Sequence, residues 1–212
     1  MLAHVDRVWA SDCNDALERQ HIQRWTGLLL PPELVGAHVG PSSAHTTGRV
    51  HRLAFRAVTA LFGHFGVECD VTALGPDETD ELAGWIALYK SERDLLHGGV
   101  VVRGDHPDPS LWVHGVVAPD GDRGLFAVVA VATLAQAVPA PVRLPGLDPT
   151  RDYDVEVVAP KPATAPLRLH RSPSWVDQGA LRVSGAVLTL VGLVLPTTVP
   201  ESATVLKVSA RR

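Results

Sequence analysis

Two carboxylates stand three residues apart where a short apolar run gives way to a helix-like stretch: Trp9-Ala10-Ser11-Asp12-Cys13-Asn14-Asp15 leads into Ala16-Leu17-Glu18-Arg19-Gln20. Carboxylates at the C-terminal end of a strand are placed for acid–base work in α/β barrels. The same spacing serves a plainer purpose. Asp and Asn are preferred helix N-caps, Asp12, Asn14 and Asp15 compete for that position, and on spacing alone capping is the commoner role for Asp12. Downstream, His45 and Arg49 flank Thr46-Thr47-Gly48 in a loop, where they could shape a small-molecule pocket or equally brace the loop itself. Glu68 and Asp70 alternate within an expected strand, so a buried, hydrogen-bonded role is favoured for them over a nucleophilic one. His38, His64, His97, His106 and His114 show no HxH or HxxxH grouping, so neither a metal site nor another cofactor is expected.

These residues need elements to hold them. From Arg7 to about His97, short apolar runs alternate with helical stripes, the pattern of successive βα units. The first unit reads as a strand at 7–10 and a helix at 15–30 with Leu17, Trp25, Leu28 and Leu29 inward, stopped by Pro31-Pro32. The second has a strand at 34–39 and a helix at 52–63 with Ala54, Ala57, Val58, Leu61, Phe62 and Phe65 at helical spacing. The third has a strand at 67–73 and a helix opened by Pro76-Asp77-Glu78, with Leu82, Trp85, Ile86, Tyr89 and Leu96 on one face and Gly98-Gly99 as its stop.

After Gly99 the period becomes two. Strands are expected at 100–102, 111–117, 125–134, 153–158, 181–183, 186–195 and 203–208, with Pro119-Asp120-Gly121-Asp122 as a hairpin turn and a Pro/Ala-rich connection at 160–166. A small antiparallel sandwich fits this half. Trp9, Trp25 and Trp85 read as core, and core packing is also the commoner use for Trp112 and Trp175, the alternative being to stack on a bound ligand.

Composition sets the outer limits. The chain has 212 residues, 46% of them hydrophobic and 20% charged, enough for one good core or two small ones. A formal net charge of -4 without a Lys/Arg cluster argues against nucleic acid or an anionic membrane as partner. Two cysteines, Cys13 and Cys69, make no disulfide framework and point to a reducing, cytoplasmic setting. His4, Asp6 and Arg7 interrupt any signal-peptide core, and the apolar run at 186–195 is too short to span a membrane.

The run from Trp9 to Gln20, together with Pro31-Pro32-Glu33-Leu34-Val35-Gly36-Ala37-His38-Val39-Gly40-Pro41 and His45-Thr46-Thr47-Gly48-Arg49, resembles the bacterial α-galactosidases of glycoside hydrolase family 36. The resemblance implies the last three βα units of a (β/α)8 barrel in residues 1–98 and a C-terminal antiparallel β-sandwich in residues 99–212. A closed barrel takes about 250 residues, so the barrel here is partial, with open strand edges that invite pairing. The resemblance further implies an α-galactoside substrate and a retaining mechanism, in which two carboxyls about 5 to 5.5 Å apart divide attack and proton transfer. By that likeness Asp12 is the general acid/base, which leaves Asp15 as the favoured helix cap, and Asp15, His45 and Arg49 are substrate-pocket candidates. The family's Lys-Trp-Asp type nucleophile motif does not occur in these residues. The chain alone is therefore expected to be inactive, to be completed by a separate N-terminal half or to self-associate through its open edges, or to act as a non-catalytic carbohydrate-binding module.

Overall fold

The computed structural model describes residues 4–159, 173–196 and 199–211. The chain divides into two compact units, Met1–His97 and Gly98–Arg212. The connection expected at 160–166 lies outside the described residues.

In the first unit, strand β1 (Gly36–Val39) pairs in parallel with β2 (His64–Val67). A parallel bridge from Val8 to Val35 adds a third segment, held by Val8 N–H to Leu34 O at 2.7 Å and Gly36 N–H to Val8 O at 3.0 Å. Each segment is followed by a helix: α1 (Ala16–Thr26), α2 (Leu53–Leu61) and α3 (Pro76–Gly98). Ala37 and Val39 of β1 are fully buried, as are Ala57, Val58 and Leu61 of α2, which packs on β1. Leu82, Trp85, Tyr89 and Leu96 of α3 are buried as their spacing predicts.

Two expectations in this unit need correction. The first concerns α1, which stops at Thr26 with Gly27 as its C-cap, and whose buried residues are Ala16, Arg19 and Gln20. Trp25, Leu28 and Leu29 are 61%, 60% and 87% exposed. The helix turns a polar face inward because that face is used by hydrogen bonds: Gln20 Nε2 donates to Thr59 Oγ1 at 2.8 Å, and Gln23 Nε2 to Thr59 O at 3.1 Å. Trp9, also expected in the core, is 39% exposed. The second concerns the third strand, which lies at 64–67 rather than 67–73, with a 3-10 turn at Val71–Ala73. Glu68 and Asp70 thus leave the strand; Asp70 caps the turn by accepting Thr72 N–H at 2.9 Å, and Glu68 reaches His38 Nδ1 at 3.3 Å. Gly66 signals a close approach inside β2, since a Cβ there would lie 2.5 Å from His38 Cδ2.

Among its described residues the second unit forms a six-stranded antiparallel sheet in the order β3-β4-β5-β8-β6-β7. Its strands are β3 (Val100–Gly104), β4 (Leu111–Val117), β5 (Arg123–Ala130), β6 (Asp152–Ala159), β7 (Leu181–Ser184) and β8 (Ser202–Ala210). The β4–β5 hairpin turns where Pro-Asp-Gly-Asp predicted it, with Gly121 at φ +73°. Phe126, Val128, Leu206, Val208, Tyr153 and Val155 form the core with Val142, Leu144, Leu188 and Leu193, which come from the connecting segments. Trp175, on the short helix α4 (Ser174–Asp177), belongs to that core and donates Nε1–H to Val194 O at 3.2 Å. Trp112 donates to Pro109 O at 3.0 Å.

Residues 186–195 are not a strand. Val187–Val191 form a single π-helical turn that buries Leu188 and leaves Leu190 and Val191 exposed. A short apolar run does not distinguish strand from buried helix by periodicity. Here Gly192 at φ +95° ends the turn, and Leu193 then bridges to Val142.

Candidate functional site

The site candidates gather around the start of α1. Asp15 is its N-cap, and its Oδ1 accepts Leu17 N–H at 2.9 Å and Glu18 N–H at 3.1 Å. Its Oδ2 accepts from the Thr47 hydroxyl and from Arg49 Nη1, the latter at 2.9 Å. Asp15 is completely buried. Burial by itself would raise its pKa; the Thr47 hydroxyl, the Glu18 N–H, the Arg49 charge and the Leu17 N–H outweigh it and hold the carboxyl below its ordinary 3.8. With both oxygens engaged inside the protein, Asp15 acts as a latch, not as a surface that meets a ligand.

The latch holds the loop that follows β1. Ser43 and Val50 close it by an antiparallel bridge, and Gly48, at φ +72°, donates to Ala44 O at 2.8 Å in the turn. Cys13 Sγ meets Thr46 Oγ1 at 3.3 Å, a second tie between the α1 entry and the loop. Arg49 also reaches Glu18 at 3.5 Å. His45 sits exposed in the same turn. Asp15 and Arg49 are therefore brought into direct contact, while His45 stands on the loop surface.

Asp12 lies just past the Val8 bridge and is exposed. Trp9 Nε1–H donates to its Oδ1 at 3.0 Å. Capping by Asp12, which spacing alone favoured, does not occur, because Asp15 holds that position. Around Trp9 the structure gathers three residues that the sequence did not connect with it: His38, whose ring centroid is 4.4 Å away; Glu68, paired to His38; and Arg19, whose guanidinium lies 4.6 Å from the indole centroid. The usable signal was the alternation in β1, which turns Ala37 and Val39 inward and leaves His38 on the opposite, open face. Chemically, the cluster offers two accessible carboxyls, Asp12 with a fixed neutral donor and Glu68 paired to the His38 imidazole.

Among the described residues no group of His, Cys, Asp and Glu could hold a metal ion, and both cysteines are free. No helix among them is long and apolar enough to cross a membrane. A cleft in the second unit, lined by Val100, Val102, Val117, Pro119, Asp120 and Asp148 among others, has no aromatic ring on which a sugar could stack.

Two family models match the chain: Melibiase over residues 1–99 and the glycosyl hydrolase family 36 C-terminal domain over residues 112–207. An α-galactosidase of Escherichia coli is 41% identical over 207 residues, covering 96% of this chain and 29% of that protein. The α-galactosidase AgaA of Geobacillus stearothermophilus is 35% identical over 159 residues, covering 74% of this chain and 22% of its own length. Among solved structures, an AgaA variant in complex with raffinose superposes with a TM-score of 0.83 at 28% identity, over 100% of this chain and 27% of that one. The Lactobacillus brevis α-galactosidase gives 0.82 at 26% identity, with the same coverage. The chain thus spans less than a third of the length of these relatives.

Proposed function

Since the chain belongs to glycoside hydrolase family 36, we propose that it supplies the proton-donating part of a retaining α-galactosidase acting on oligosaccharides with a terminal α-galactosyl residue. In this reading Asp12 protonates the departing sugar oxygen and then takes a proton from the water that releases the galactosyl group. The observation that supports it most is the exposed Asp12 carboxyl at the C-terminal end of a parallel βα segment, held by Trp9 Nε1–H at 3.0 Å. His45 and Arg49 line the approach on the neighbouring βα loop, and Asp15 keeps that loop in place. The first unit corresponds to the closing βα units of a barrel and the second to a C-terminal β-sandwich. The substrate class follows from relatives named α-galactosidases, of which AgaA variants form complexes with raffinose and stachyose. A cytoplasmic setting belongs to the same proposal.

Covalent catalysis needs a second carboxylate, and these residues contain no Lys-Trp-Asp type motif. The nucleophile then comes from a further segment that completes the barrel. The surface of the first unit favours this: Trp25, Leu28 and Leu29, close together in the sequence at the end of α1, are each 60% or more exposed.

The experiment is reassembly. This chain and the part of the Escherichia coli relative upstream of its matching region are assayed separately and mixed, on p-nitrophenyl α-galactoside and on raffinose. Activity is expected only in the mixture, and Asp12→Ala is expected to lose far more on raffinose than on the nitrophenyl substrate, whose leaving group needs little protonation. Activity of this chain alone that survives Asp12→Ala refutes the acid/base reading; a mixture that stays inactive refutes reassembly.

A further inference from the structure

We propose that Arg19 is a positioning residue for the Asp12 carboxyl, acting through the Trp9 indole. Its catalytic meaning rests on the reading of Asp12 as the proton donor; the geometry stands apart from it.

Arg19 is 4% exposed. Its Nη1 donates to Ser11 O at 2.8 Å and its Nη2 to Gly36 O at 3.0 Å. One of these carbonyls immediately precedes Asp12, and the other is the first residue of β1. The guanidinium therefore ties the segment bearing Asp12 to the sheet. The same guanidinium lies 4.6 Å from the Trp9 centroid, a cation–π distance. On its other contacts the indole meets the His38 ring at 4.4 Å and the bare Cα of Gly36, where a Cβ would stand 3.1 Å from Trp9 Cε3. So placed, Trp9 aims Nε1–H at Asp12 Oδ1.

A half-exposed indole with nothing behind it would sample several rotamers. Arg19 removes that freedom, and a lysine could not substitute: the task needs two donors in a fixed fork and a flat cationic face. For an acid/base residue such fixation matters, because displacement by about 1 Å costs on the order of a hundredfold in rate. An arginine that merely joined α1 to β1 would have no reason to govern the environment of the Trp9 N–H.

The test reads that N–H directly. The nitrogen–proton spectrum of the full chain contains indole signals from five tryptophans, and Trp9→Phe identifies the one from Trp9. Asp12→Ala is expected to shift it and to speed its exchange with water at least about tenfold, the weight of a hydrogen bond to a charged group. Arg19→Lys is expected to produce the same change with Asp12 intact. Gly36→Ala, which crowds the indole on the strand residue whose carbonyl Arg19 holds, is expected to do so too and serves if Arg19→Lys does not fold. A Trp9 signal that matches wild type in either variant overturns the proposal, as does a wild-type Trp9 N–H exchanging as fast as that of the exposed Trp25. In the reassembled enzyme, Arg19→Lys is expected to lower kcat with KM unchanged. If the spectra change as expected and kcat does not, the positioning stands and the proton-donor reading of Asp12 falls.

Discussion

Replacing Asp15 tests whether the site is held by a buried latch. Asp15→Ala removes the N-cap of α1, worth about 1 kcal/mol, and the acceptor of the Thr47 hydroxyl, worth about 1.5 kcal/mol as a bond to a charged group. The Arg49 pair adds only about 0.5 kcal/mol, because the Arg49 side chain is 37% exposed and solvent screens it. The expected loss is therefore about 3 kcal/mol. Asp15→Asn keeps the cap, since Asn is as good a cap as Asp, and is expected to lose about half as much. Urea unfolding followed by tryptophan fluorescence measures both. The pH dependence supplies an independent check. A carboxyl whose pKa is lowered by folding contributes its stability above its ordinary value of 3.8 and loses it as pH falls through the folded value. The gap between wild type and Asp15→Asn is thus expected to be constant from neutral pH down to about 5 and to close below 3.8. A gap unchanged at low pH, or an Asp15→Ala loss under about 1 kcal/mol, refutes the latch.

Other substitutions probe the surroundings. Arg56→Met leaves Gly40 O without its 2.6 Å partner in a buried position and is expected to cost about 2 to 3 kcal/mol in urea unfolding. Tyr153→Phe removes a buried hydroxyl that donates to Gly121 O at 2.9 Å and accepts Asp148 N–H at 3.0 Å; a loss of about 1 to 3 kcal/mol is expected by the same measurement. Leu29→Asp, at a position 87% exposed, is expected to change stability by less than about 0.5 kcal/mol and to raise the concentration of upstream segment needed for half-maximal activity.

The sequence was most legible where apolar spacing alone decides the outcome. Strand β4 falls at Leu111–Val117 as read, and α3 buries Leu82, Trp85, Tyr89 and Leu96. The reading failed where polar chemistry overrides that spacing. In α1, Arg19 and Gln20 face inward because carbonyls and Thr59 wait for them, so Trp25, Leu28 and Leu29 are displaced outward. Residues 187–191 turn as a π-helix because glycine at 192 accepts a positive φ that an apolar pattern cannot disclose. At the site, spacing alone put the cap on Asp12, the family resemblance moved it to Asp15, and Asp15 is the residue that caps α1; what neither reading disclosed is the burial of that carboxyl. That burial depends on Thr47 and Arg49, more than thirty residues away, arriving to claim Asp15. Arg19, by default a solvated or locally paired charge on a helical wheel, is instead buried on the Ser11 and Gly36 carbonyls.

The placement of β8 governs how the second unit is made. Residues 202–210 lie between β5 and β6 in the middle of the sheet. During synthesis the hairpin strands β3, β4 and β5 emerge first, yet β5 has no partner on its far side until residue 210 has left the ribosome. A product cut short before β8 would hold two partial sheets, each with an open, Val-rich edge. Synthesis of β8 is in effect a checkpoint, and copies lacking it would be marked for aggregation or degradation by the gap in their own sheet.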